Sequence, residues 1–180
     1  MSANNDYIYF WNGPFSQWYP SLFKIDSKTI PASEDLGIIM FGCAEQFMMY
    51  CKAVMFGDYE TAHAILETQN PKEQKALGRK VKNFTPDEWN TVARTIVYYG
   101  NLAKFSQNPE LLQQLLDTGD TLLVEASPYD TIWGIGLNEE DARNTPPENW
   151  KGTNWLGEVL VRVRQKLSNE QFFEYDKVGI

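Results

Sequence analysis

Glu45, Met49, Lys52 and Phe56 recur at three- and four-residue spacing within the segment 44–56. On a helix they form one stripe, so a carboxylate, an ammonium and an aromatic ring border the buried side. Glu45 also falls in the first turn, where the helix dipole favours negative charge. Spacing alone therefore leaves two readings: a site carboxylate, or one that caps its own helix with Lys52 at the surface. A second set lies in Ser127-Pro128-Tyr129-Asp130 and Trp133-Gly134-Ile135-Gly136. Asp130 can act as an acid, bind a hydroxyl, or simply stabilise a turn. The glycines beside Trp133 let the backbone approach a ligand closely. Phe15-Ser16-Gln17-Trp18-Tyr19 mixes rings and polar groups in a loop, and Arg79, just past a helix end at Gly78, can meet a phosphate or the helix carboxyl terminus. One histidine, His63, and two cysteines, Cys43 and Cys51, leave no zinc-ligand motif and no Ser-His-Asp or Cys-His system. The cysteines, eight apart along one helix, are too far apart to bridge and read as buried thiols.

The elements that must position these groups follow from periodicity and caps. Tyr7–Trp11, Leu22–Ile25, Gly37–Met40 and Thr121–Glu125 read as strands, the first ending at the Asn12-Gly13-Pro14 turn. Residues 44–56 read as a helix with Ala44, Phe47, Met48, Cys51 and Met55 inward. Helices follow at 59–68 with Asp58 as cap, and from Asn70-Pro71 to Gly78. Thr85-Pro86-Asp87-Glu88 is a capping-box start, and Trp89, Val92, Ala93, Ile96 and Val97 give the next helix an apolar face. Asn108-Pro109-Glu110 opens a helix that ends at Gly119. Residues 127–153 read as an unusually long polar loop, of a kind often functional. A last helix, 155–167, buries Leu156, Val159, Leu160, Val163 and Leu167, and the residues beyond Ser168 give no clear pattern. The expected class is α+β, mostly helical with a small sheet, in a single domain over 1–180 with its core at about 8–167.

The 180 residues suit one domain, and 43% hydrophobic with 22% charged is a globular balance. A formal net charge of -8 argues against general binding of duplex nucleic acid, though not against a nucleotide-sized ligand or brief contact with a modified base. No apolar run approaches the roughly 18 residues of a membrane span, and the first six residues lack the features of a signal peptide. A cytoplasmic location and no membrane partner are expected.

Taken in order, Pro14–Trp18, Cys43–Ala53, Phe56-Gly57-Asp58, Gly78-Arg79, Trp89, Glu125–Asp130, Trp133–Gly136 and Asn154–Gly157 resemble the YbiA-like, or NADAR, domain family over about residues 8–167. The resemblance implies a compact, mostly helical α+β fold and N-glycosidase activity on ribosylated nitrogen compounds. It implies two substrate classes: phosphorylated ribosylaminopyrimidine intermediates of riboflavin biosynthesis, and ADP-ribose on guanine bases of nucleic acid. It implies no metal and no cofactor. The family's central glutamate corresponds to Glu45, with Trp89 and Asp130 as further matches.

Those residue types suit the chemistry. Cleaving a ribose C1′–N bond builds positive charge on the sugar, which a carboxylate stabilises while activating water. Glu45 is expected in that role. Asp130 would bind ribose hydroxyls or assist the leaving base. Trp89 or Trp133 would stack on the base or exclude solvent. Lys52 and Arg79 would hold phosphate, Asn154 a hydroxyl, and Phe15, Ser16 and Gly134 would line the substrate. Gln46 stands where many bacterial members have histidine, Ile135 where many have an acid, and Leu137–Trp150 looks longer than in compact members. The alternative reading is a non-catalytic ADP-ribose or nucleotide-binding module; a purely structural protein would not need the polar set.

Overall fold

In the computed structural model, residues 7–178 are described, with side chains described as far as Glu170. The N-terminal hexapeptide lies outside them. The chain forms two compact units, one from the two segments that end at Ser16 and begin at Pro109, the other from Gln17–Asn108.

The Gln17–Asn108 unit is built on helix α1, Ala44–Met55, against which α2 (Tyr59–Glu67), α3 (Pro71–Gly78) and α4 (Pro86–Gln107) all pack. Strands β1 (Tyr7–Phe10) and β4 (Leu122–Glu125) belong to the other unit; here β2 (Phe23–Asp26) and β3 (Ile38–Phe41) pair antiparallel, Phe23 opposite Phe41. Phe23, Phe41, Phe47 and Tyr50 interlock at ring separations of 5.3 to 6.2 Å. The expected stripe on α1 is only part of its buried surface. Every residue from Ala44 to Val54 is buried, Glu45, Gln46 and Lys52 included. A helix buried all round is the central member of its unit. The predicted caps appear: the Asp58 carboxylate accepts from Thr61 N at 3.1 Å and the Asn70 amide oxygen from Lys72 N at 3.0 Å. At α4 the Thr85 hydroxyl donates to the Glu88 carboxylate at 2.8 Å and makes no bond to the helix backbone, so the expected capping box closes side chain to side chain.

In the other unit β1 and β4 pair parallel, and Ala126 N extends the ladder to Phe10 O at 2.7 Å. The expected single small sheet is therefore two separate two-stranded sheets. Helix α7, Trp155–Val178, packs on β4 and also meets α5, Pro109–Leu116. Its apolar face is buried as the periodicity required, and its backbone continues well past residue 167. Val124, Ile135, Leu137 and Ala142 form a core with Tyr7, Tyr9 and Trp150 against it. The stretch 127–153 is more ordered than a loop reading allowed. It holds the short helix α6, Glu139–Arg143, capped by the Asn138 amide oxygen on Asp141 N at 2.8 Å, and a 3-10 turn at Pro147–Asn149. Among the described residues no helix is long and apolar enough to cross a membrane.

Candidate active site

The Gln17–Asn108 unit carries four of the expected site residues. Glu45 sits in the first turn of α1, only 6% exposed, and its backbone N–H donates to Gln17 O at 2.9 Å. Lys52, two turns on along the same face, is also buried. Burial pushes the Lys52 ammonium below the ordinary lysine range; the Glu45 charge opposes that shift and the nearby Arg79 charge adds to it. The ammonium rests 3.9 Å from the centroid of the Phe84 ring, which meets Phe56 edge-on. Arg79 itself is exposed at the end of α3. Glu45, Lys52 and Arg79 are thus brought into one electrostatic neighbourhood. Trp89 is buried one turn into α4 and belongs to this unit's core.

Gln46 turns to a structural task. Its amide oxygen accepts from Gly42 N at 2.8 Å and its nitrogen donates to Ile65 O at 3.0 Å and Thr68 O at 3.2 Å. The departure from histidine there changes a clamp on the loops around α1.

Sequence reading missed a polar row on α4. Asn101, Lys104 and Asn108 follow at helical spacing and face the loop at 17–24. Asn101 donates to Gln17 Oε1 at 2.8 Å, and Asn108 donates to Leu22 O at 2.9 Å. Gln107 exchanges two bonds with the Lys24 backbone at 2.8 and 2.9 Å, as a neighbouring strand would. Lys104 is fully buried, with its ammonium 5.9 Å from the Tyr19 ring centroid. Burial pushes its pKa down to about 7, opposed by Cys43. Gln17 Nε2 and Asn101 Oδ1 are buried with no hydrogen-bond partner among the described residues. A donor and an acceptor left unmet, beside the residue that holds the Glu45 backbone, mark this region as more than packing. The signal was available: continuing the stripe Trp89, Ala93, Val97 by 3.6 residues per turn places Asn101 and Lys104 on the buried face. Cys43 and Cys51 are both free and buried, as expected.

The other unit carries Phe15, Ser16, Asp130, Trp133, Gly134 and Asn154. Phe15 meets Phe10 edge-on at 5.8 Å, and Ser16 N closes the turn onto Gly13 O at 2.9 Å. Asp130, Trp133, Gly134 and Asn154 come together in one loop cluster. Asp130 Oδ1 accepts from Ile132 N and Trp133 N, both at 2.8 Å, and Asp130 O accepts from Gly136 N at 2.9 Å. Trp133 meets Trp155 edge-on at 5.6 Å. Gly134 is needed by its own chain: a Cβ there would lie 2.9 Å from Glu125 O and 3.0 Å from Asp130 O. Both ends of the Asn154 carboxamide serve β4, accepting from Glu125 N at 3.0 Å and donating to Leu123 O at 2.9 Å. Asn154 therefore fixes the strand end next to the loop. Ile135 is fully buried in the unit's core, which accounts for an apolar residue at that position.

The NADAR domain model matches residues 9–168, and the chain belongs to that family. It is 44% identical over 152 residues to "N-glycosidase R617" of Acanthamoeba polyphaga mimivirus, covering 84% of this chain and 86% of that protein. It is 40% identical over 172 residues to "Protein irg-1" of Caenorhabditis elegans, covering 92% and 81%. Among solved structures, the NMR structure of the E. coli protein YbiA superposes with a TM-score of 0.72 at 23% identity, over 94% of this chain and 89% of that one; at that identity the likeness concerns the fold.

Proposed function

We propose that this chain is an N-glycosidase that hydrolyses a ribosyl C1′–N bond, with Glu45 as the reacting carboxylate. The observation that carries the proposal is a glutamate only 6% exposed in the first turn of a wholly buried helix, in a chain 44% identical to a protein named an N-glycosidase. A carboxylate is not kept buried for packing alone, because desolvation works against the charge. In the reaction the C1′–N bond lengthens and positive charge gathers on C1′ and the ring oxygen. Glu45 stabilises that charge and takes a proton from the attacking water. The hydroxyl bonds to C1′, the bonding pair leaves with the base nitrogen, and a proton completes the released base.

Asp130 has one oxygen held by two backbone N–H groups, which aims the other as an acceptor for ribose hydroxyls. Lys52 and Arg79 supply positive charge for a substrate phosphate, a local need in a chain of net charge -8. By the family resemblance, Trp89 is the candidate wall within the Gln17–Asn108 unit, and Trp133, Phe15, Ser16 and Gly134 of the other unit are the candidates for contact with base and sugar. Asn154 acts as a positioning residue through β4. The substrate is a phosphorylated ribosylaminopyrimidine or an ADP-ribosyl-guanine adduct.

Incubation with each substrate, followed by chromatography and mass spectrometry of both products, tests the reaction. Release of free base with an equal amount of the free ribosyl product from either substrate supports hydrolysis at C1′. Binding of ADP-ribose with no base released from either substrate would replace the enzyme with a binding module.

A further inference from the structure

Cys43 stands at the cap position of α1, yet its thiol is turned to Gln74 Oε1 at 3.3 Å and makes no bond to the helix start. The first-turn N–H groups of a helix have no partner inside it, so they need one from elsewhere. At Glu45 that partner is Gln17 O, 2.9 Å away on a separate segment. A first-turn side chain leans back past the helix start and has no preceding turn to rest on. The place of the Glu45 carboxylate therefore depends on what fixes Gln17.

Helix α4 fixes it. Asn101 Nδ2 donates to Gln17 Oε1 at 2.8 Å and to Val97 O, one turn back, at 2.9 Å. The second bond sets the direction of the carboxamide, and the first carries that direction to Gln17. Farther along α4, Gln107 and Asn108 hold the same segment at Lys24 and Leu22. Gln17 is 8% exposed and Asn101 0%, and Gln17 Nε2 and Asn101 Oδ1 meet no partner among the described residues. A methionine and a leucine of similar shape would leave no polar atom unmet and would cost the fold less. The amide pair thus supplies direction at the expense of stability.

We infer that Asn101 and Gln17 are positioning residues for Glu45: Asn101 orients Gln17, and Gln17 holds the first turn of α1 so that the carboxylate meets the reacting carbon. The clamp stands on these hydrogen bonds; its service in turnover rests on the N-glycosidase reading.

Gln17→Met and Asn101→Leu in the full chain keep the volume and remove the bond. Should Asn101→Leu alone not fold, the double variant leaves no polar atom unmet and takes its place. Amide hydrogen exchange read by NMR tests the clamp without substrate. The Glu45 N–H should exchange about tenfold faster in each variant, with the Ala53 N–H of the same helix unchanged. Single-turnover base release tests the consequence. At saturating substrate the rate should fall about tenfold or more, with KM within about twofold of wild type and the unfolding midpoint equal or higher. In a Glu45→Gln background, Asn101→Leu should lower the residual rate no further, whereas a merely structural loss would lower it again. Unchanged exchange at Glu45, exchange that rises equally at Glu45 and Ala53, or base release at the wild-type rate in both variants overturns the inference. Absence of base release by wild type instead defeats the N-glycosidase reading, and the exchange rates still decide the clamp.

Discussion

Lys104 has the most unusual setting of any single residue. A lysine with no exposure and a pKa near 7 is a group whose charge changes in the neutral range. The unfolded chain keeps that proton to about pH 10.4. Between about 7 and 10 the unfolded state thus holds more protons at this residue than the folded state, so its contribution to stability rises with pH. Lys104→Met removes the dependence. The variant should be more stable than wild type at pH 6.5, and its advantage should shrink by up to about 1.4 kcal/mol per pH unit above 7. Urea denaturation of both proteins at pH 6.5, 7.5 and 8.5 measures this. The difference cancels the tyrosines, whose raised pKa values act the other way in alkali. Parallel pH profiles would mean that Lys104 stays charged throughout. Asp130 acts at the same scale: Asp130→Ala frees two backbone N–H groups at the turn, so base release should fall at least tenfold with a stability loss of about 1–2 kcal/mol. An activity loss fully explained by unfolding would leave Asp130 as a turn residue only.

Among the elements, α7 comes close to the backbone of β4 at Gly157. A Cβ on Gly157 would run into the carbonyl of Leu123 and the carboxamide of Asn154, and a backbone carbonyl cannot swing aside. Gly157→Ala gains about 1 kcal/mol of helix propensity and still should destabilise by about 1–3 kcal/mol. Thermal unfolding decides it; a rise in midpoint would show that α7 can slide. Much of this architecture was legible in the sequence. The four strands and the starts of α1 through α5 fall within a residue or two of where Asn-Gly-Pro, Asp58, Asn70-Pro71 and Thr85-Pro86 place them, because turn and cap residues act locally. What local signals could not show was partnership. Tyr7–Phe10 pairs with Leu122–Glu125 across more than half the chain, and no residue in either strand announces the other. Helix α6 is one short turn of acidic residues, below the length at which periodicity speaks. The candidate site divides the same way. Glu45 stood out by type and spacing, and the resemblance strengthened it. The tasks of Asn154 and Gln46, which are backbone clamps, depend on strands and loops distant in sequence.

At the scale of the whole molecule the governing quantity is charge. A net charge of -8 repels a polyanion, and Lys52 and Arg79 offset this only locally. Should the substrate be ADP-ribosyl-guanine, the chain should act on an oligonucleotide adduct no faster than on the free nucleoside adduct at low salt. Its kcat/KM for the oligonucleotide should rise as salt screens the repulsion. A steep fall with salt would instead reveal a basic binding face that the composition hides. Turnover by the intact chain is the final test of Glu45. The decisive measurement is the single-turnover rate of base release by wild type and Glu45→Gln, with unfolding curves taken on the same samples. A fall of at least 10²-fold with an unchanged or raised unfolding midpoint is the predicted result. A variant that releases base at the wild-type rate would contradict the assignment of Glu45 as the reacting carboxylate.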